Sequence, residues 1–299
     1  MRALIWGAAG TPEVVTGEAP QPEEHQVLVA VQAAEVAVPP GASIGDVLGT
    51  QGTGTIVRDP QGLLPEGTLV AWAGVPGSCA EAACVPRDRM VAVPGGIAPE
   101  IAATMLGPAM MAHVLLFSLS PVEAGSTVLI NPADDPVGLI SAQWASSLGA
   151  RVIAVSPSGE ASPHLDHAIV VQRAHVAPRR AAEAGGADIA LHGAGKQGLD
   201  HSLSSLRPRG TLCLHGNPAQ PVKRISPLDL AAQGSLNLAC PVLEDYVREP
   251  EGFRTRSQAV TQAITEGHIT IPHVRVHSPE EAADIPLDEL AGGLTAVRF

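Results

Sequence analysis

At 299 residues, 45% of them hydrophobic, the chain is long enough for two domains with sizeable cores and is not a disordered polymer. Aromatic residues make up only 2%, so Ala, Val, Leu and Ile must build those cores. The net charge of -12 argues against nucleic acid and anionic membranes as partners, and the ligand expected is a small molecule.

No apolar run stands out as a membrane span, and Met1–Trp6 reads as the start of a strand, not a signal peptide, which together suggest a cytoplasmic protein. The spacing of Cys79, Cys84, Cys213 and Cys240 fits neither a zinc site nor a disulfide framework. Small buried residues are the simpler reading. The 11 histidines form no metal-ligand pair, so no metal is expected.

In chain order, the first ninety-odd residues read as mostly β. Short apolar or alternating runs at Met1–Trp6, Gln26–Ala33, Gly52–Arg58, Leu69–Ala73 and Ala80–Val85 are separated by turn clusters such as Asp59-Pro-Gln-Gly. From Pro99 to Leu119 apolar residues recur at helical spacing. Strands and helices then alternate. Strand Thr127–Ile130 leads to helix Val137–Leu148 and strand Arg151–Val155. Strand Ala168–Val171, helix Ala177–Ala184, strand Ala187–Leu191, helix Gly198–Ser205 and strand Gly210–Leu214 follow. Such an order predicts an α/β fold with a doubly wound parallel sheet. Helix Phe253–Glu266 and strand Pro272–Val276 lead to Leu294–Phe299, which is expected to return to the first domain. The predicted domains are 1–96 with 247–299, and 97–246.

The segment Thr127-Val-Leu-Ile-Asn-Pro-Ala-Asp-Asp-Pro-Val-Gly138 has the outline of a dinucleotide-binding turn, a strand running through a short loop into a helix. Such a turn needs small residues whose backbone N–H groups face a diphosphate. Its tip instead carries Asp134, Asp135 and Pro136. Two carboxylates face the place of an anion, and proline has no N–H. The local reading is that Asp134 or Asp135 caps the helix, with Pro136 in its first turn.

The order of motifs resembles the medium-chain dehydrogenase/reductase superfamily, in its zinc-free quinone oxidoreductase (zeta-crystallin-like) branch. Leu48-Gly-Thr-Gln-Gly-Thr-Gly-Thr-Ile-Val is similar to the family's "LGxEGxGxV" strand. Gly77-Ser-Cys-Ala-Glu-Ala followed by Val85-Pro is similar to "GxYAEYxxVP". Gly107-Pro-Ala-Met-Met-Ala-His113 is similar to "QGxTAH". Leu206-Arg-Pro-Arg-Gly-Thr-Leu with His215-Gly-Asn217 is similar to "LRPxGxLVxFGN", and Gly234-Ser-Leu-Asn-Leu with Cys240-Pro-Val-Leu-Glu-Asp-Tyr246 to "GSLxLTRPxLxxY". The matching stretches span most of the chain. The resemblance implies a Rossmann-like domain beside a mostly β, GroES-like catalytic domain. It also implies NADPH between them and hydride transfer to a quinone or enone. Ala133, Val137, Gly138, Ser156, Gly216 and Asn217 are the positions that would bind NADPH. A homodimer is implied too, with Asn237-Leu-Ala as an apolar edge strand.

Four stretches depart from the family's pattern. The "AAxGGVG" turn is Pro132-Ala-Asp-Asp-Pro-Val-Gly138. Like charges about 4 Å apart repel by roughly 4 kcal/mol at an effective dielectric near 20, worth about a thousandfold in affinity. After strand Arg151–Val155, Ser156-Pro-Ser-Gly-Glu160 lacks the base that holds a 2′-phosphate. The loop Glu35–Val47 lacks the family's Asn, Arg and Tyr. Residues 282–295 lack its basic residues.

The favoured expectation is therefore an enzyme without NADPH. It would catalyse a non-redox step (cyclisation, isomerisation or elimination) on an apolar, natural-product-like substrate. The alternatives are an NADPH-dependent quinone or enone reductase with a modified turn, and a non-catalytic binding protein. Asp134, Asp135, His215, Asn217 and Tyr246 are the candidate catalytic residues. Glu244 and Asp245 are expected beside them, with Trp72, Met110 and Met111 as apolar walls. Capping for the aspartates, a satisfied structural role for His215 and packing for Tyr246 are the competing readings.

Overall fold

The computed structural model describes residues 1–158, 163–216, 218–270, 274–291 and 294–299. The chain divides into two compact units, Met1–Pro108 with Val247–Gln262 and Pro272–Phe299, and Ala109–Tyr246 with Ala263–Ile271.

In the first unit β1 (Arg2–Trp6) and β2 (Pro12–Thr16) form an antiparallel ribbon. The strands β3 (Gln26–Glu35), β4 (Gln51–Arg58), β5 (Leu69–Ala73), β6 (Ala82–Pro86) and β7 (Met90–Ala92) build a larger sheet. Its order is β3-β4-β5-β7, with β6 also on β3 and two C-terminal strands, Arg275–His277 and Thr295–Arg298, continuing it beyond β3. Leu4, Val27, Val29, Ile56, Val85 and Val297 pack around Trp72 in its core. Period-two burial along β3 is what the alternation of Gln26–Glu35 demands of a strand with one face in that core. Trp72 spends its single donor inside the core, Nε1 donating to Ser78 Oγ at 2.9 Å.

In the second unit β8 (Thr127–Asn131), β9 (Arg151–Val155), β10 (Ile169–Val171), β11 (Ala187–His192), β12 (Leu206–Leu214) and β13 (Asn237–Ala239) pair in parallel. The order is β10-β9-β8-β11-β12-β13. The central strands are continuous apolar runs because both faces are covered: every residue of β8 is buried. Connections run outward from β8 on one side and from β11 on the other. The topological switch point therefore lies at the carboxyl ends of β8 and β11, where open α/β sheets place ligands.

Helix α1 (Pro99–His113) continues as a π-helical segment to Leu119. At 21 residues, Pro99–Leu119 is long and apolar enough to cross a membrane, contrary to the sequence reading. More than half of it is buried inside protein, as in the core helix of a globular domain. Helix α2 (Pro136–Ser147) docks through Trp144, whose ring meets Phe117 at 5.2 Å, and Phe117 stacks on His113 at 4.7 Å. The remaining helices are α3 (Ala177–Ala182), α4 (Leu199–Ser204), α5 (Pro227–Ala232), α6 (Leu243–Val247), α7 (Pro250–Thr265), α8 (Pro279–Ala283) and α9 (Leu287–Ala291). Strand β14 (Arg275–His277) pairs with β15 (Thr295–Arg298), which lies antiparallel on β3.

Two differences from the predicted elements have local causes. β12 starts at Leu206 and not Gly210, because Arg209 adopts φ 64° and the register against β11 shifts there. α4 starts after Gly198 because that residue has φ 73°. Residues 272 and 273 of the predicted strand Pro272–Val276 lie outside the described residues.

Candidate active site

The loop between β8 and α2 is fastened on three sides. Ala133 N donates to Val155 O at 2.7 Å, so this candidate phosphate-binding amide is spent on β9. Asp135 is the cap of α2: its Oδ1 accepts from Gly138 N at 2.6 Å, and the Val137 amide also donates to this carboxyl. Pro136 fills the first turn, where no N–H is missed. Asp134 is exposed and reaches across to the loop after β9, its Oδ2 accepting from Ser158 N at 3.0 Å. Ser156 is buried, with its N bonded to Val171 O and its hydroxyl 3.3 Å from that of Ser158.

Gly138 survives from the family's turn for a reason of packing. A Cβ there would stand 2.1 Å from Pro132 O, so the helix can approach the loop only through glycine. Its presence implies nothing about a phosphate.

A diphosphate needs free N–H groups and no negative charge nearby. At this turn the Val137 and Gly138 amides already serve Asp135, the Ala133 amide serves Val155, and two carboxylates occupy the mouth. The residues present do not fit the diphosphate of NADPH as they stand.

The second strand of the switch point supplies groups that sequence reasoning missed. His192 ends β11 and is buried, with Nδ1 at 2.9 Å from Ser202 Oγ and Nε2 at 2.7 Å from Gly195 O. Burial lowers its pKa. Gly193 follows, and its amide donates to Asn131 O at 2.8 Å. A Cβ on Gly193 would meet His215 Cε1 at 2.8 Å, and both His215 Nδ1 and Asp135 Oδ2 at 3.3 Å. The imidazole and the second oxygen of Asp135, Oδ2, therefore converge on one point beside the Gly193 backbone. The signal in the sequence was His192-Gly-Ala-Gly195 directly after an apolar strand, a small-residue turn at the end of β11.

The two converging groups are pushed apart in pKa. Burial raises Asp135 to about 6; the bonds from Gly138 and Val137 oppose this, and the charge of Asp134 adds to it. Burial, with a smaller contribution from His192, lowers His215 to about 4. Near neutral pH the carboxyl is ionised but easily protonated, while the imidazole is neutral. His215 Nε2 is buried and has no hydrogen-bond partner among the described residues.

His215 and Gly216 line a cavity of about 260 Å³ at the carboxyl ends of β11, β12 and β13, with Leu214, Val222, Cys240 and Val242 among its walls. Asn217 lies outside the described residues. Glu244, Asp245 and Tyr246 lie on α6, the first two exposed and the tyrosine half-buried, and none of them lines this cavity. Trp72, Met110 and Met111, expected as walls, are core residues. A further buried carboxyl that sequence reasoning passed over is Glu35, at the end of β3: burial raises its pKa, and Thr50 Oγ1 donates to it at 3.4 Å. Among the described residues no three His, Cys, Asp or Glu side chains are grouped to hold a metal ion.

Residues 136–240 match the zinc-binding dehydrogenase family. The chain is 28% identical over 242 residues to a quinone oxidoreductase of Pseudomonas aeruginosa, covering 78% of this chain and 74% of that protein. It is 26% identical over 284 residues to a quinone oxidoreductase of Salmonella typhimurium, covering 88% and 87%. Among solved structures it is similar to mycobacterial Rv1454c complexed with NADPH, with a TM-score of 0.89 and 29% identity over 100% of both chains.

Proposed function

We propose the following role for a chain that belongs to the medium-chain dehydrogenase/reductase superfamily, in its zinc-free quinone oxidoreductase branch: an enzyme that works without NADPH and moves a proton on an apolar carbonyl compound. The observation that carries this reading is the bond from Gly138 N to Asp135 Oδ1, by which the chain's own carboxylate fills the place a diphosphate would take. Asp135 keeps a second oxygen, Oδ2, turned toward Gly193 and His215.

The chemistry follows from the two pKa values. A general base works best when its pKa lies near the working pH, as Asp135 at about 6 does. Its ionised Oδ2 takes a proton from the carbon next to the substrate carbonyl. Neutral His215 donates its ring N–H to the enolate oxygen, without becoming charged. Asp135, its proton in exchange with water, then delivers a proton one vinylogous position away, which is an isomerisation. Elimination and cyclisation share the first half of this step. No electron pair leaves the substrate, so no redox partner enters. The cavity that His215 lines has the walls Leu214, Val222 and Val242, which suit an apolar substrate; Asp135 is not among its lining residues and approaches it only through its neighbour His215.

A second reading, an NADPH-dependent quinone or enone reductase, is supported by the 29%-identical relative complexed with NADPH. Calorimetric titration separates the two. The proposal expects no NADPH binding at 1 mM-scale concentrations and cofactor-free deuterium exchange into apolar enones that is lost in Asp135→Asn. Micromolar binding with NADPH oxidation by a quinone would overturn it. A ligand that binds and is never changed would make the protein a binding module.

A further inference from the structure

The polar groups packed beneath the switch point form a network to which proton transfer by Asp135 assigns no part. Asn131 ends β8, His192 ends β11 and Ser202 lies on α4, and all three are buried. A carbonyl oxygen only accepts, so the 2.7 Å contact of His192 Nε2 with Gly195 O places the ring proton on Nε2. Nδ1 then keeps its lone pair and accepts the Ser202 hydroxyl at 2.9 Å. Asn131 Nδ2 donates to Ser202 Oγ at 3.4 Å. The bonds run in one direction, from Asn131 through Ser202 and His192, and end on Gly195 O. The turn that receives them is clamped at both ends. Gly193 N donates to Asn131 O at 2.8 Å, and Gly195, at φ 63°, is held through its carbonyl by His192. The main chain of His192 acts on the other partner, its O accepting from His215 N at 3.1 Å. One residue therefore holds both the Gly193–Gly195 turn and the strand end that carries His215. His192, Gly195 and His215 also line one cavity, so turn and imidazole face the same space.

We infer that His192 is a positioning residue of this site: through its Nε2–H on Gly195 O and its own carbonyl on His215 N, it sets the spacing of the Asp135 carboxyl and the His215 imidazole about Gly193. It touches no reacting atom and acts only through the turn and the strand end. Its kinetic consequence rests on the proton-transfer reading. The tautomer of His192 and its closeness to His215 rest on the geometry alone. Glutamine in its place can present an amide N–H near the position of Nε2, whereas leucine fills the space and cannot donate. The two substitutions therefore separate the bond to Gly195 O from the mere filling of the core.

The test has two arms, both on the full chain. The first is NMR. Long-range proton–nitrogen spectra of wild type near neutral pH should show His192 uncharged with its proton on Nε2, and a proton on Nδ1 would overturn the inference. His215 titrates at about 4 beside His192, and its midpoint should rise in His192→Gln, which removes the charge that His192 takes up in acid. An unmoved midpoint would count against the closeness of the two rings. The second arm is solvent-deuterium exchange into isophorone, an apolar enone. His192→Leu should lower kcat about a hundredfold with KM little changed, the cost of displacing a reacting group by about 1 Å. His192→Gln should keep most of the rate. Equal kcat in the two variants would overturn the inference, since a histidine that only fills the core gives no such split. Should His192→Leu fail to fold, His192→Gln and the wild-type spectra still decide. If wild type exchanges no enone, the proton-transfer reading falls, and the NMR arm alone judges the placement of His192.

Discussion

Asp135→Asn isolates the energetic cost of the carboxylate that closes the turn. Asparagine caps helices as well as aspartate does, so the bond to Gly138 N survives and only the charge is removed. Burial raises the folded pKa of Asp135 from 3.8 to about 6. A raised carboxyl pKa means that the folded state binds the proton more tightly than the unfolded one. The resulting stability is fully present below pH 3.8 and is lost as pH rises to about 6. At ~1.4 kcal/mol per pKa unit the loss is about 3 kcal/mol. The variant has no such loss. Its advantage over wild type should grow from near zero at pH 4 to about 3 kcal/mol at pH 7. Amide hydrogen exchange of β8 and β11, corrected for intrinsic rates, reads the opening free energy of this unit alone. A difference between the two proteins that stays constant from pH 4 to 7 would refute the assignment of a buried, strained charge at this cap.

Three other outcomes follow from the same geometry. His215→Asn tests the opposite sign: the depressed pKa of about 4 gives stability present above 6.5 and lost as pH falls toward 4. Wild type should therefore lose about 3 kcal/mol on acidification that the variant does not, read in the same exchange experiment. Gly193→Ala places a methyl 2.8 Å from His215 Cε1 and 3.3 Å from Asp135 Oδ2. It should cost about 1–3 kcal/mol of stability and remove solvent-deuterium exchange of the substrate, measured by denaturation and by NMR. Asp134→Gly/Asp135→Gly/Pro136→Gly removes two carboxylates and restores the turn's donors. It should tighten NADPH binding by about a thousandfold relative to wild type, measured by calorimetry, and an unchanged affinity would count against charge as the obstacle.

Most of the architecture could be read along the chain because it follows from local rules. Val128–Ile130 and Val152–Val155 are continuous apolar runs, as strands of a doubly covered parallel sheet require. The cap was equally legible. Asp followed by Pro ahead of an apolar helix satisfies the first-turn amides whatever the rest of the molecule does, and Asp135 does so. The edge strand Asn237–Ala239 could be named before its partner was known, and it pairs with β12.

The convergence of groups could not be read in this way. Asp135, Gly193 and His215 meet only because β8, β11 and β12 lie side by side with carboxyl ends together, an arrangement set by chain crossovers and not by any spacing in the sequence. His192 carried no visible role until its register opposite Asn131 placed it at the switch point. Conversely, Trp72 looked like a cavity wall, yet its ring lies in the β core, bonded to Ser78. Periodicity specifies which face of an element is apolar, while burial, and with it the pKa of every ionisable group here, depends on what packs against that face.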